Sequence, residues 1–233
     1  VLGILLSSAT QSDLPGRVSG LLVELSFGLL PLTIFWVIVA GYIIGMGLPI
    51  VASYVILAIF AVGALTEFGV PSLAAHMISY WVAVVSAVTP PVALAAYAAS
   101  AISGADPVKT GFEALRLASM IFVMPFLFIY TPLLLTGTTT DIIITTVACV
   151  TGVIAWAGCL EGYLLKKTVL TEQIMLGVAA ACLLLPVSEF ISFILNVKGT
   201  FDFYAYIAGA ILLLVIIIIQ KIRPAIEVQI SEN

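Results

Sequence analysis

Two groups of helix-breaking residues interrupt apolar stretches of membrane length, and the atoms they release suit the binding of a small cation. The first is Thr89-Pro90-Pro91, in the middle of an apolar stretch. Proline has no amide hydrogen, so we expect Pro90 and Pro91 to leave the carbonyls of Ser86 and Ala87 without their helical donors. In a bilayer such carbonyls are tolerated where they line a cavity or bind a ligand. The pattern therefore predicts a discontinuous helix, over residues 71–103.

The second group is Gly45-Met46-Gly47-Leu48-Pro49, which divides the uncharged stretch from Leu25 to Thr66. The glycines permit a sharp turn, and Pro49 is suited to start a returning helix. We expect a re-entrant helical hairpin in this stretch, with its turn at the glycines. Two full membrane crossings would also return the chain to the same side, so that alternative stays open.

Together the two breaks predict one site near the middle of the membrane. Helix N-termini after Pro49 and Pro91 would direct partial positive charge at a carboxylate. Oxygen atoms of small neutral groups would hold a hard cation such as sodium: the carbonyls of Gly45, Ser86 and Ala87, and the hydroxyls of Ser53, Ser86 and Thr89. The alternative interpretation, in which the glycines serve only helix contacts and the prolines only kink helices, also stays open.

The composition is that of an integral membrane protein. Hydrophobic residues make up 63% of the 233 residues, charged residues 9%, and the mean hydropathy is +1.28. A net charge of −4 without a basic tract gives no indication of nucleic-acid binding. One histidine and three cysteines without a CxxC pair make a metal centre or disulfide framework improbable. The predicted fold class is an all-α polytopic membrane protein.

The predicted organisation has four parts. They are the end of a preceding segment with a connecting helix (1–29), a part with the hairpin, the broken helix and an interfacial helix at 106–118 (30–118), C-terminal transmembrane helices (119–222) and a cytoplasmic tail (223–233). Within the third part, four spans are expected near 119–135, 142–160, 173–195 and 203–220. His76 and Glu189, ionisable groups in apolar stretches, are expected near the membrane surfaces rather than in the site.

Basic residues assign the orientation. With the broken helix counted as one crossing, six basic residues share one face: Lys109, Arg116, Lys166, Lys167, Lys221 and Arg223. Arg17 and Lys198 lie on the other. The larger group marks the cytoplasmic face, so the C-terminus is predicted to be cytoplasmic. Because the chain begins at Val1 without an initiator methionine or a basic leader, we expect it to be the C-terminal part of a longer polypeptide.

Several segments resemble the large membrane subunit of tripartite ATP-independent periplasmic (TRAP) transporters. These are Gly45-Met46-Gly47-Leu48-Pro49 with Ser53-Tyr54, Leu73-Ala74-Ala75-His76, residues 86–99 around Thr89-Pro90-Pro91, and Ile102 to Gly111. The tail, with Leu160-Glu161-Gly162-Tyr163-Leu164-Leu165, resembles fused permeases that are often paired with TAXI-type binding proteins.

The resemblance implies a secondary transporter of the inner membrane that imports organic acids, including dicarboxylates, by sodium symport. An extracytoplasmic binding protein would deliver the substrate. The implied fold is one inverted-repeat half of an ion-transporter-superfamily, elevator-type protein, lacking its N-terminal repeat and four-helix portion. The resemblance makes residues 30–118 half of the transport domain, with the hairpin at 30–66 and the broken helix at 71–103. No cofactor besides the coupling ion is expected, and no enzymatic activity.

The residues of this sequence that become ion- or substrate-binding candidates are Gly45, Met46, Gly47, Pro49, Ile50, Ser53, Ser86, Ala87, Thr89, Pro90 and Pro91. The sodium candidates among them are Gly45, Gly47, Ser86 and Thr89. The family pattern usually has threonine after the hairpin proline, whereas this chain has Ile50, so one hydroxyl is missing.

Three other functions are consistent with a membrane protein of this composition. A related carrier would work without a binding protein. An intramembrane protease would need a serine–histidine or paired-aspartate arrangement, and Asp13, Asp106, Asp141 and Asp202 all fall at predicted loops or helix ends. A scaffold subunit would have the apolar spans but no reason for two consecutive breaks at the same depth.

Overall fold

The computed structural model describes residues 3, 7–8, 11–185 and 201–222 of the chain. These residues form two compact units, one ending at Thr138 and the other beginning at Thr139. Helices account for nearly all of the described secondary structure, so the chain is an α-helical polytopic membrane protein.

The first unit contains the hairpin and the broken helix at the predicted interruptions. Helix α1 precedes the hairpin, α2 and α3 are its arms, α4 and α5 are the two parts of the broken helix, and α6 follows. Their bounds are Leu14–Leu25, Leu30–Gly45, Ile50–Glu67, Ser72–Ser86, Leu94–Ser103 and Pro107–Leu117. Whether the hairpin is re-entrant or crosses the membrane twice stays a prediction.

The core of this unit lies among α1 to α4. Ile34 and Val37 of α2, Leu57 of α3 and Ile78 of α4 are fully or almost fully buried. Gly41 lets α2 approach its neighbours closely, since a Cβ atom there would lie 2.5 Å from a Val82 methyl group and 2.6 Å from one of Leu57. Small residues at helix contacts allow this close approach in membrane proteins.

Helix α6 begins as the sequence predicts. Asp106 accepts a hydrogen bond from the amide of Lys109 at 2.8 Å, and Pro107 occupies the first turn. This arrangement satisfies an amide that the helix itself leaves without a partner.

The span predicted near 119–135 consists of short helical segments that continue directly from α6. A 3₁₀ segment, Ala118–Phe122, joins α6 to the short helix α7, Met124–Tyr130, so one helical run extends from Pro107 to Tyr130. It ends there because Thr131 precedes Pro132 and is extended, with φ −129° and ψ 156°. A second short 3₁₀ segment, Pro132–Leu134, follows.

The second unit contains helices α8, Thr139–Glu161, α9, Leu170–Leu184, and α10, Phe201–Ile222. Helices α8 and α10 cover the spans predicted at 142–160 and 203–220, each with a few residues more. The remainder of the span predicted at 173–195, together with Glu189 and Lys198, lies outside the described residues. So do Arg223 and the predicted tail.

Four helical segments of the described chain are long and apolar enough to cross a membrane. They are Ile50–Glu67, Pro107–Tyr130, Thr139–Glu161 and Phe203–Ile222. Further apolar helices, among them α2, α4 and α9, are shorter.

Glu172, in the first turn of α9, carries a buried carboxylate. Its side chain is 3% exposed, and Gln220 is fully buried beside it. The Gln220 side-chain amide donates to the Glu172 carboxylate at 3.1 Å. The same carboxylate accepts from the backbone amide of Val169 at 3.3 Å. A carboxylate in the first turn of a helix caps free amides and is stabilised by the helix dipole, which explains why it is buried here.

Gln220 also fixes the loop between α8 and α9. Its side-chain oxygen accepts hydrogen bonds from the amides of Leu165 and Lys166, at 3.1 and 3.3 Å. One buried amide therefore connects the end of α10, the start of α9 and the loop before it.

We predict that Gln220→Leu loosens this loop, because it removes one donor from a buried carboxylate and the acceptor that two loop amides share. The expected loss of stability is about 1–3 kcal/mol. Trypsin should cleave after Lys166 and Lys167 faster than in the unchanged protein. Gln173→Leu, at a half-buried position of the same helix bundle, is the control and should change the cleavage rate less. Equal rates in all three proteins would contradict the role of Gln220.

Candidate functional site

The hairpin turn lies directly against the broken helix. Gly45, the last residue of α2, is buried, and a Cβ atom at this position would lie 2.1 Å from the Ser86 hydroxyl oxygen and 2.4 Å from the Ser86 Cβ. The same added atom would be 3.8 Å from the Ser53 hydroxyl oxygen. The end of α2, the first turn of α3 and the end of α4 therefore converge at Gly45.

Three buried hydroxyl groups belong to this region, at Ser53, Ser86 and Thr89. Ser86 donates to the carbonyl of Ala83 and Thr89 to that of Val85, both at 2.7 Å. Ser53 donates to the carbonyl of Leu48 at 3.4 Å. A hydroxyl that donates its proton to the backbone keeps its oxygen lone pairs for a cation, so these bonds are compatible with ion coordination.

The backbone of the break is largely satisfied, which corrects the expectation of free carbonyls. The Ala87 carbonyl, expected to lose its donor to Pro91, accepts from the amide of Ala95 at 3.1 Å. The Thr89 carbonyl accepts from the amide of Ala93 at 3.1 Å. Ala93 adopts the left-handed conformation, with φ 33° and ψ 50°, and α5 begins at the next residue.

Two tyrosine hydroxyls complete the hydrogen bonding of the double proline. Tyr42 of α2 donates to the Pro90 carbonyl at 2.5 Å, and Tyr97 of α5 to the Pro91 carbonyl at 2.6 Å. The peptide bond between the two prolines is cis. A carbonyl oxygen has two lone pairs, so each can still accept a second interaction.

The hairpin turn is closed by its own backbone. The Gly45 carbonyl accepts from the amide of Gly47 at 2.9 Å, so it too is bonded rather than free. Gly47, Pro49 and Ile50 are exposed and Met46 is half-buried, whereas Gly45 and Ser53 are buried. The candidate residues thus form a buried group around Gly45 and an exposed group at the tip of the turn.

Helix α6 covers the break from another direction. A Cβ atom at the buried Gly111 would lie 3.2 Å from Pro90 and 3.6 Å from the Cβ of Ala93. Sequence reasoning missed Gly111, Tyr42 and Tyr97 as parts of this region. A glycine inside a short amphipathic helix is the kind of signal that indicates close packing, whereas the tyrosines carried no local signal.

His76 takes part in a separate polar group. It is exposed, and its Nδ1 atom lies 3.1 Å from the hydroxyl of Tyr54. Among the described residues, no three histidine, cysteine, aspartate or glutamate side chains come together to hold a metal ion. What the region around Gly45 offers a cation is therefore a set of neutral oxygen atoms.

An apolar groove of about 410 Å³ runs along the first arm of the hairpin. Its lining residues are Phe35, Ile38, Val39, Tyr42, Ile43, Phe122 and Phe126. Tyr42 connects this groove to the break in the helix. The Tyr42 ring forms part of the groove wall, and its hydroxyl donates to the Pro90 carbonyl.

A comparison with protein families finds one match. The model of the DctM component of the tripartite ATP-independent periplasmic transporter matches residues 2–141, which include the hairpin, the broken helix and α6. No curated protein and no solved structure matches the chain.

We predict that Gly45→Ala forces the hairpin away from the broken helix, because the added methyl group would overlap Ser86. Overpacking of this kind costs about 1–3 kcal/mol. The midpoint of thermal unfolding of the detergent-solubilised protein should fall accordingly. Gly47→Ala is the matched control: no atom lies within 4 Å of a Cβ atom there, and the midpoint should change little. Two equal midpoints would contradict the packing at Gly45.

Proposed function

This chain belongs to the DctM component family of tripartite ATP-independent periplasmic transporters, and on that premise we propose that it is the permease of a sodium-coupled secondary transporter for organic acids. The substrates are carboxylates, including dicarboxylates. An extracytoplasmic binding protein of the TAXI type delivers them to the outer face of the inner membrane. The chain supplies one repeat of the permease, and an N-terminal repeat with a four-helix portion completes it.

The observation that supports sodium coupling is the meeting of two buried hydroxyl groups at one turn, with a third buried hydroxyl close by in the sequence. Ser53 of α3 and Ser86 at the end of α4 both lie against Gly45, and Thr89 follows Ser86 in the break. Hard cations are bound by oxygen ligands, and a membrane protein buries hydroxyl groups at low cost when they also bond the backbone. We therefore assign the sodium site to these hydroxyls, with the second lone pairs of nearby carbonyls as further ligands.

The carboxylate would lie on the exposed side of the same turn. Helix α3 begins at Ile50, immediately after Pro49, and its first amides have no partner within the helix. Such amides and the helix dipole favour an anion. Because Ile50 supplies no hydroxyl, the backbone amides carry this half of the site.

The transport movement we propose is of the elevator type. The hairpin, the broken helix and α6 pack together within one compact unit, so the unit can move as a body that carries its site with it. A buried glycine at each of two contacts, Gly45 on Ser86 and Gly111 on Pro90, supports this interpretation because such contacts resist separation.

We predict that Thr89→Ala raises the sodium concentration needed for half-maximal uptake at least about fivefold, because one oxygen ligand is lost. The measurement is sodium-dependent uptake of a panel of labelled mono- and dicarboxylates by the transporter in proteoliposomes, with its binding protein outside. Thr89→Ser retains the oxygen atom and should retain the sodium dependence.

Thr66→Ala is the control. Its hydroxyl bonds the carbonyls of Val62 and Gly63 in the same intrahelical manner, at the far end of α3. It should leave the sodium dependence unchanged. If Thr89→Ala behaves like Thr66→Ala, Thr89 is not a ligand. Uptake that proceeds without any soluble partner would instead favour a related carrier that works alone.

A further inference from the structure

The hydroxyl of Tyr42 connects the hairpin to the break in the helix. Tyr42 lies three residues before the hairpin turn and is half-buried, and its hydroxyl donates to the Pro90 carbonyl at 2.5 Å. One side chain of the hairpin thus bonds a proline at the centre of the interruption, directly after Thr89 in the sequence.

This bond differs in kind from the other bonds of the break. The amides of Ala93 and Ala95 and the hydroxyl of Tyr97 all belong to the broken helix, so they satisfy its carbonyls from within. The Tyr42 bond spans 48 positions of the sequence and joins two helical elements. It forms only while α2 is packed on α4, the packing that brings Gly45 against Ser86.

We propose that Tyr42 is a positioning residue of the sodium site, an inference that rests on the function proposed above. By holding the Pro90 carbonyl, its hydroxyl sets the orientation of the neighbouring Thr89, whose oxygen is a proposed ligand. The affinity for sodium then depends on whether the hairpin is in place. Linkage is reciprocal, so a bound sodium ion in turn favours the packed hairpin.

A purely structural role would produce a different result. If Tyr42 only satisfied a carbonyl that would otherwise be unpaired in the membrane, its loss would lower stability and the amount of active transporter. The sodium concentration for half-maximal uptake would then stay the same, because that concentration does not depend on how much protein is active.

The experiment compares Tyr42→Phe with Tyr54→Phe in the complete transporter. Phenylalanine keeps the ring of Tyr42 in the apolar groove and removes only the hydroxyl. Tyr54 is a matched control, because its hydroxyl also joins the hairpin to the broken helix, by way of His76 at 3.1 Å, but away from the prolines. For each protein, sodium-dependent uptake gives the half-saturating sodium concentration and the maximal rate.

We expect Tyr42→Phe to raise the half-saturating sodium concentration roughly three- to tenfold, the effect of one hydrogen bond. Tyr54→Phe should leave it within about twofold of the starting protein. A second measurement needs no transport: sodium should raise the thermal unfolding midpoint of purified Tyr42→Phe protein less than that of the starting protein. It also keeps the test decisive if the variant transports too slowly.

The outcomes separate this inference from the proposed function. Sodium-dependent uptake with equal half-saturation in Tyr42→Phe and the starting protein would overturn the role of Tyr42 and leave the proposed function intact. Uptake by the starting protein without any sodium dependence would overturn the proposed function itself. A fall in the maximal rate alone would assign Tyr42 a structural role and also overturn the inference.

Discussion

The absence of a side chain at Gly45 is the constraint on which the rest of the first unit depends. Because no Cβ atom separates them, the end of α2 and the end of α4 meet with the Ser86 hydroxyl directly against the Gly45 backbone. This contact places the turn over the start of α3 and brings Ser53 to the same point. It also places Tyr42 within reach of Pro90.

The contact between the hairpin and the broken helix matters more in a membrane than it would in water. An interrupted helix in lipid must find partners for backbone groups that water would otherwise hydrate. Here the amides of Ala93 and Ala95, just before α5 and at its start, bond two carbonyls of the break. The two proline carbonyls receive tyrosine hydroxyls, one of them from the hairpin. The hairpin and the break therefore stabilise each other, because the bond from Tyr42 to Pro90 forms only when the two are packed together.

Local rules predict most of the described helices. Proline and glycine mark the ends of α2 and α4, Asp106 and Pro107 mark the start of α6, and uninterrupted apolar runs predict α8 and α10. These features depend on residues within one or two turns of each other. The family match covers the same region, from residue 2 to residue 141.

The contacts within the site could not be predicted in the same way. The rule that proline removes a donor is correct, but it does not say that Ala93 will turn the chain back so that Ala95 bonds Ala87. Tyr42 bonds Pro90 from 48 positions away in the sequence, and Gly111 packs on it from 21 positions away. A local sequence pattern does not indicate either contact. The burial of Glu172 could not be predicted for a similar reason, because its partner Gln220 lies on a helix far along the chain.

The packing of Gly45 on Ser86 is tested most directly by a double-mutant cycle of Gly45→Ala and Ser86→Gly, with the thermal unfolding midpoint as the readout. Ser86→Gly removes the atoms that an added methyl group would meet. Our account predicts that Gly45→Ala lowers the midpoint strongly in the starting protein and little in the Ser86→Gly background. If the two substitutions lower the midpoint additively, the hairpin turn does not rest on the broken helix at this point, and the account is wrong.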